Sequence, residues 1–411
     1  MCRRAAGVDP GVTARPFWIV VSALMAMMVA AGAPSPLYGV YAERIGFSPV
    51  TLTVIFAIYV VALLATLLVV GSLSDHVGRK PVLVVALALE IVSLALFIPA
   101  DSVALLVLAR TVQGVATGAA LGALGAAMLD TQKPGSQLGT LFNSVVPPLG
   151  LAIGALGAGA LIEYAPDPTR VVFWVLIAAN AAALVGLLLI PEPGARRPGA
   201  LASLRPDVQV TGAVRPAFVV AAPVFVATWA VGGIYLSLGP SLAAGVFGLT
   251  DHLVGGLVVA TVTASGALAA YLTRDWAPRR TVRIGSALLI AGLLIALAGI
   301  GLVATPLFLL GSVVTGLGFG ASFTGALRSV MSLVGADNRA ATLSAVLTVS
   351  YLAFSVPAIV AGWAATRVGL SRAAIGYGVA VIAVTLVSVV LDRLRVRAAG
   401  TAPAPLVDRA G

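Results

Sequence analysis

The sequence predicts an all-α membrane protein built from two six-helix bundles. Three observations support this prediction: an apolar composition, twelve long apolar runs, and motifs that recur between the two halves of the chain. Of the 411 residues, 60% are hydrophobic and 10% are charged, whereas charged residues make up about 25% of a typical soluble domain. A water-soluble fold could not cover this much apolar surface, so we expect the chain to cross a lipid bilayer repeatedly.

Twelve apolar runs follow one another along the chain, and each could form a helix of the ~20 residues needed to span a bilayer. The runs lie at 17–41, 50–71, 82–100, 102–129, 137–163, 171–190, 216–239, 252–272, 282–303, 305–331, 341–366 and 372–391. The first run is longer than the apolar part of a signal peptide and has no obvious small-residue cleavage site. We therefore expect it to be retained as span 1.

The longest polar interruption is rich in Pro, Gly and Arg and divides the spans into six and six. It is too short to form a domain, so it is expected to be a linker. The predicted organisation is a cytoplasmic tail (1–16), an N-terminal six-helix bundle (17–190), a cytoplasmic linker (191–215), a C-terminal six-helix bundle (216–391) and a second cytoplasmic tail (392–411).

The positions of the basic residues predict the orientation of the spans, because cytoplasmic loops are enriched in Lys and Arg. If the amino terminus is inside, 20 of the 25 Lys and Arg residues fall on the cytoplasmic side, four fall outside, and Arg110 lies within a span. Both termini are therefore predicted to be cytoplasmic. The net charge of +10 then faces anionic lipid, and nucleic acid is not expected as a partner.

The two halves of the chain share a spaced pattern of charges and glycines. Asp75, Arg79 and Lys80 recur 200 positions later as Asp275, Arg279 and Arg280, and Gly114 and Gly118 recur 202 positions later as Gly316 and Gly320. The second copy is degenerate, because Tyr271 and Pro278 stand where Gly71 and Gly78 stand in the first. Many transporters consist of repeated halves with the substrate site between them.

A short polar segment between spans 2 and 3 contains Gly71, Leu73, Asp75, Gly78, Arg79 and Lys80. This segment resembles the signature G-x-L-x-D-[RK]-x-G-[RK]-[RK] of the major facilitator superfamily, with His76 in place of one basic residue. The resemblance implies that superfamily's fold, in which two six-helix bundles are related by a pseudo-two-fold axis. It also implies that these charges gate the cytoplasmic end, with Asp130 as a partner. Asp75 could in addition cap the next helix, and a charged turn that only sets topology is the alternative.

Arg110 lies about eight residues into span 4, where an isolated arginine costs about 2.5–3.5 kcal/mol on insertion scales. It must therefore face a cavity or a partner. Leu106-x3-Arg110-x2-Gln113-Gly114 is similar to the span-4 signature of the same superfamily, which implies a role in transport and proton coupling. Glu90, the acid nearest in depth, is the candidate proton carrier. A structural arginine and a carboxyl bonded to a neighbouring helix are the alternatives.

Glycines at i, i+4 spacing mark predicted contacts between helices, since small residues let helix backbones approach closely in membranes. Gly114, Gly118 and Gly122 lie on one face of span 4, and Gly150 and Gly154 lie on one face of span 5. We expect these faces to serve packing.

Several polar and aromatic residues within the spans could line a substrate cavity, although core packing would explain most of them equally well. The candidates are Tyr59, Asn143, Trp229, Tyr235, Phe319, Phe323 and Tyr351.

The motifs favour transport over catalysis. The chain has no G-x4-G-K-[ST] loop for ATP, no zinc-protease or serine-hydrolase motif, and only one cysteine, Cys2. We therefore expect no catalytic residues, no cofactor and no metal.

The predicted function is secondary transport of a small solute by alternating access, as proton-coupled efflux of a drug-like compound or metabolite. The alternatives are an uptake carrier for a small organic anion and a non-transporting sensor of the same fold. The protein is expected to be a monomer in the plasma membrane.

Overall fold

The structure is a computed structural model that describes residues 14–194, 197–335 and 338–400. Cys2, Arg3, Arg4, Arg196 and Arg409 lie outside the described residues, as does most of each predicted tail. Fourteen α-helices, and no strand, are found in the described residues: α1 (Ala14–Gly32), α2 (Pro34–Ile45), α3 (Pro49–Val70), α4 (Ser74–Val77), α5 (Arg79–Phe97), α6 (Val103–Thr131), α7 (Leu138–Tyr164), α8 (Pro168–Leu189), α9 (Arg215–Phe247), α10 (His252–Leu272), α11 (Pro278–Gly301), α12 (Thr305–Met331), α13 (Arg339–Val368) and α14 (Leu370–Gly400).

The predicted number of spans is confirmed, because twelve helical segments of the described chain are long and apolar enough to cross a membrane. Span 1 comprises α1 and α2 together, and α4 lies in the loop between spans 2 and 3. Two ends differ from the prediction. Helix α9 continues to Phe247, eight residues beyond the predicted end, because a proline such as Pro240 is tolerated within a membrane helix. Helix α14 continues to Gly400 through residues that favour helix.

The break in span 1 has a simple cause in the sequence. Pro34 has no backbone N–H, so the carbonyl of Ala30, four residues earlier, loses its partner within the helix. Helix α1 therefore ends at Gly32, and α2 begins at Pro34 with a second proline two residues later. The Ala30 carbonyl is then available to a side chain from another helix.

The two six-helix halves contact each other at the end of the molecule opposite the linker. Helix α7 packs against α10 there, and α3 packs against α13. The α7–α10 contact requires glycine, because a Cβ at Gly256 would lie 2.4 Å from the carbonyl oxygen of Ala155. The amide of His252 donates to Glu163 Oε2 at 3.2 Å, and the rings of Phe56 and Phe354 are 5.1 Å apart between centroids.

The clusters of buried apolar residues also show where the two halves are joined and where they are separate. One large cluster of buried residues contains side chains from both halves, including Tyr38, Tyr59 and Tyr351. At the linker end there are instead two separate clusters, one formed by the N-terminal half around Met27 and Met128 and the other by the C-terminal half around Phe225. The halves are thus joined at the end opposite the linker and have independent cores at the linker end.

Candidate functional site

Arg110 is buried in the N-terminal half, with only 1% of its surface exposed. Its Nε donates to the hydroxyl of Tyr38 at 2.6 Å, and its Nη1 donates to Gln113 Oε1 at 2.5 Å. The guanidinium carbon lies 5.2 Å from the ring centroid of Tyr38 and 5.0 Å from that of Tyr59. The Phe97 ring centroid lies 5.9 Å from the same carbon, so Arg110 is held by two hydrogen bonds to neutral groups and by three aromatic rings.

Gln113 connects Arg110 to Glu90. Its Nε2 donates to Glu90 Oε1 at 2.9 Å and to the Ala30 carbonyl at 3.1 Å. The carbonyl that Pro34 leaves without a helical partner is thus satisfied by Gln113. Glu90, the acid nearest in depth to Arg110, thus contacts the same side chain as Arg110, and the amide of Gln113 lies between the two charged groups. We call Tyr38, Glu90, Arg110 and Gln113 the Arg110 network.

Glu90 is fully buried, and its Oε2 has no hydrogen-bond partner among the described residues. An ion in hydrocarbon is costly, and the cation–π contacts of Arg110 offset about 0.5–2 kcal/mol of the cost of its burial. The charge-assisted hydrogen bonds contribute about 1.5–3 kcal/mol each. The network can therefore hold one cation in the membrane interior, with a carboxyl group one amide away that can accept or release a proton.

A second group of residues forms an aromatic cluster where the halves meet. Trp229 lies at its centre, with ring centroids of Tyr351, Phe354 and Phe323 at 4.6, 5.5 and 5.6 Å. The Nε1 atom of Trp229 is buried and has no hydrogen-bond partner among the described residues. An unpaired indole N–H costs free energy unless an acceptor reaches it, so the position suits a ligand that carries one.

Three of the seven cavity candidates, Trp229, Phe323 and Tyr351, are brought together in this cluster. Phe319 lies beside it, since a Cβ on Gly232 would approach the rings of both Phe354 and Phe319. Tyr59 belongs instead to the surroundings of Arg110. Sequence reasoning missed Phe354, although its position three residues after Tyr351 places both on one face of a helix.

Asn143 and Tyr235 lie elsewhere. The side-chain amide of Asn143 donates to the Gly125 carbonyl at 3.3 Å, which ties α7 to α6. The hydroxyl of Tyr235 is 2.9 Å from Ser312 Oγ inside the C-terminal half.

Gly114 serves close packing in the structure, as the spacing of the glycines predicts. A Cβ at Gly114 would lie 2.3 Å from the carbonyl oxygen of Tyr59, and one at Gly118 would lie 2.4 Å from that of Leu63. Helix α6 can therefore approach α3 closely, and this approach places Arg110 next to the Tyr59 ring.

The charged loop between spans 2 and 3 lies at the linker end. Arg79 forms an ion pair with Asp75, its Nε is 3.2 Å from Asp130 Oδ2, and its Nη1 donates to Ser74 Oγ at 2.8 Å. Gly78 has φ +108°, a backbone conformation that residues with a side chain rarely adopt. The carboxylates of Asp75 and Asp130 therefore both contact the guanidinium group of Arg79, and all three residues belong to the N-terminal half.

The cap of α5 comes from Glu192, and the expectation that Asp75 supplies it is wrong. Glu192 Oε1 accepts from the amide of Arg79 at 2.6 Å, and its Oε2 accepts from the amide of Lys80 at 3.2 Å. The Asp75 carboxylate instead pairs with the Arg79 side chain. The only indication of this cap in the sequence was the position of Glu192 itself, an isolated acid between Pro191 and Pro193 at the start of the linker.

The linker is bound to the same loop by further hydrogen bonds. His76 Nδ1 lies 2.9 Å from the Pro198 carbonyl oxygen, and the Arg197 amide donates to the Asp75 carbonyl at 3.1 Å. The Lys80 ammonium donates to the carbonyls of Leu188 and Ile190 at 2.7 and 2.8 Å. Where the signature has a basic residue, His76 thus contacts the linker.

No group of three His, Cys, Asp or Glu side chains in the described part of the chain is arranged to hold a metal ion.

Comparison with known proteins gives one family and several similar folds. A family model described as Major Facilitator Superfamily matches residues 19–358. The crystal structure of the human organic anion transporter MFSD10 (TETRAN) is 18% identical with a TM-score of 0.67, and the match covers 93% of this chain and 100% of that one. A POT family transporter in complex with a thioalcohol-conjugated peptide is 14% identical with a TM-score of 0.73, covering 94% of this chain and 97% of that one. A mutant of the nucleoside transporter NupG is 12% identical with a TM-score of 0.69, covering 92% and 99%.

Proposed function

Because this chain belongs to the major facilitator superfamily, we propose that it is a secondary transporter that moves a small solute across the plasma membrane by alternating access. We further propose that it couples efflux of a drug-like compound or metabolite to the entry of protons. Both termini and the linker are proposed to be cytoplasmic, since most Lys and Arg residues then lie inside.

The observation that supports this proposal best is the Arg110 network. It is a buried cation–amide–carboxyl chain, and Tyr38 and Tyr59 link it to the core cluster that both halves share. A purely structural bundle would gain more from apolar residues at these positions, because replacing buried ions with apolar groups is often neutral or stabilising. The presence of a buried arginine and a buried glutamate here favours a role in transport.

The arrangement of the halves supports alternating access. The halves are joined opposite the linker and have separate cores at the linker end, which is the arrangement of a carrier that is closed on one side. With the linker in the cytoplasm, the closed side is the outside. We propose that the charges around Arg79 then become contacts between the halves when the cytoplasmic end closes.

Glu90 is the proposed proton carrier. A protonated carboxyl group adds no charge to the membrane interior, whereas the ionised form is supported, among the described residues, through Gln113 and the nearby Arg110. Glu90→Gln keeps the size and the acceptor oxygen but cannot carry a proton. We expect this variant to exchange solute down its own gradient while losing accumulation driven by a pH gradient. Unchanged accumulation would exclude Glu90 as the carrier.

Flux measurements in proteoliposomes test the function itself. Purified protein would be reconstituted in vesicles with an imposed pH gradient, and the movement of ethidium, a cationic drug-like dye, would be compared with that of carboxyfluorescein, an organic anion. Empty vesicles and the Arg110→Ala variant are the controls. The proposal predicts protein-dependent flux of one dye that collapses when the pH gradient is removed.

Transport of a small organic anion is the second candidate, and one observation favours it. The two hydrogen bonds recorded for Arg110 go to uncharged groups, so its charge is available to an anion that reaches it in another state of the cycle. A solved structure of similar fold is described as an organic anion transporter. Carboxyfluorescein flux without ethidium flux would favour organic anion transport. Flux of neither dye would favour a non-transporting sensor.

A further inference from the structure

The linker end of the C-terminal half carries four exposed arginines, which we call the α11 patch: Arg274, Arg279, Arg280 and Arg283. Two of them pair with acids. Arg274 is 3.3 Å from Asp275, and Arg283 is 3.4 Å from Asp392. The side chains of Arg279 and Arg280 form no hydrogen bond or ion pair with another residue of the described ranges. Two cations at the start of α11 are thus left without an anionic partner there.

The equivalent cations of the N-terminal half bind partners within the protein. Arg79 and Lys80 lie 200 positions before Arg279 and Arg280, at the start of α5. Their side chains bind carboxylates and backbone carbonyls, and their amides bind the carboxylate of Glu192. In this half, the Glu192 carboxylate therefore lies at the beginning of the helix, bound to the backbone amides of the two basic residues.

The C-terminal half has an equivalent acid, but that acid points to a different partner. Asp392 lies 200 positions after Glu192 and accepts from Arg283, one turn further along α11. Helix α14 is still continuous at Asp392, whereas α8 ends at Leu189 and the chain turns back toward α5. Among the residues that the structure describes, no side chain therefore caps the first turn of α11.

Arg279 and Arg280 are not needed to shape their loop, because Arg328 does this. Its guanidinium group donates to the carbonyls of Arg274 and Thr273 and to the hydroxyl of Thr281, at 2.5, 3.0 and 3.2 Å. The Arg280 guanidinium carbon lies 4.7 Å from the ring centroid of Trp276, so a ring face orients the cation while its N–H edge remains open.

We propose that the α11 patch binds the phosphate of an anionic phospholipid headgroup, at the position that corresponds to the Glu192 carboxylate in the other half. A lipid fits better than a free anion because apolar side chains continue from the patch toward the membrane. Tyr271 and Leu272, at the end of α10, are 43% and 54% exposed and can contact an acyl chain. Aromatic residues also favour the membrane interface. This inference concerns the bilayer and does not depend on the solute transported.

Native mass spectrometry of the purified full-length protein in detergent tests the proposal. The protein would be titrated with phosphatidylglycerol or with phosphatidylcholine, and we expect one phosphatidylglycerol to bind preferentially. Each basic residue near a membrane surface contributes about 1 kcal/mol to attraction of anionic lipid. The double variant Arg279→Gln/Arg280→Gln should therefore bind phosphatidylglycerol about 30-fold more weakly, with an unchanged melting temperature.

Matched controls make the result specific. Arg367→Gln/Arg372→Gln removes two exposed arginines at the opposite end, one of them over the ring of Trp363, and should leave this binding unchanged. Arg279→Lys/Arg280→Lys should retain most of it. Equal affinity for the two lipids, or full binding by the double glutamine variant, would overturn the proposal. Displacement of the lipid by millimolar inorganic phosphate would also overturn it, since the site would then bind a free anion.

Discussion

Replacing Arg110 with lysine keeps the positive charge but removes the geometry that the structure gives to it. The guanidinium group donates from Nε to Tyr38 and from Nη1 to Gln113, two acceptors on different helices. A lysine ammonium is a point charge on a flexible stem and does not reproduce this planar fork. We therefore expect Arg110→Lys to lose at least one of the two hydrogen bonds and the contact with the aromatic rings.

The size of the effect follows from that loss. One charge-assisted hydrogen bond contributes about 1.5–3 kcal/mol. If the bond is required in the rate-limiting step, its loss slows transport roughly 10- to 150-fold. Arg110→Ala should slow transport at least as much, while it removes the insertion cost of about 2.5–3.5 kcal/mol and so should not lower the amount of inserted protein.

The assay is dye flux in proteoliposomes, divided by the amount of reconstituted protein. Arg170→Lys is the matched control, because Arg170 is an exposed arginine with 61% of its side chain accessible, and it should transport normally. If Arg110→Lys matches the unmodified protein in flux per inserted molecule, the hydrogen-bond geometry of Arg110 has no part in transport. Reduced expression with intact normalised flux would assign Arg110 a structural role alone.

Three further predictions concern the linker end. Asp75→Asn should abolish most transport without reducing insertion, because it weakens the pairing with Arg79 outside the spans, and normal flux kinetics in that variant would argue against gating by this loop. Glu192→Ala should remove the cap of α5 and lower stability by about 0.5–2 kcal/mol, seen as a lower melting temperature than in Asp207→Ala, a change at an exposed linker residue. In a Cys2→Ser background, Pro198→Cys should react with an impermeant thiol reagent only after the membrane is opened, and labelling of intact cells would contradict the cytoplasmic linker.

The twelve spans could be predicted because length and composition determine them almost alone. A run of about 20 apolar residues has few stable alternatives to a membrane helix, and the observed ends mostly lie within a few residues of the predicted ones. Arg110 could be identified for the same reason, since a charge eight residues into an apolar run stands out against its neighbours. These features depend on residues that are close together in the sequence.

The hydrogen-bond partners of Arg110 and of the other site residues could not be predicted, because these partners depend on how the helices rotate and where the chain turns. The sequence places Glu90 and Arg110 at similar depths, but only the packing of α5 and α6 puts the Gln113 amide between them. Glu192 caps a helix 113 residues away, a contact that depends on the path of the chain after α8. Pro34 could be identified in span 1 from the sequence. That the Ala30 carbonyl, which Pro34 leaves without a helical partner, accepts a hydrogen bond from Gln113 could not.

A reversible cross-link between the halves tests the central claim, alternating access, most directly. Glu163 and His252 meet at the closed end, where the amide of His252 donates to Glu163 Oε2 at 3.2 Å. The variant Cys2→Ser/Glu163→Cys/His252→Cys would be reconstituted, oxidised to join α7 to α10, and assayed for flux of the dye that the unmodified protein moves. If this end must open during each cycle, flux stops on oxidation and returns on reduction. Undiminished flux through fully cross-linked protein would contradict the account.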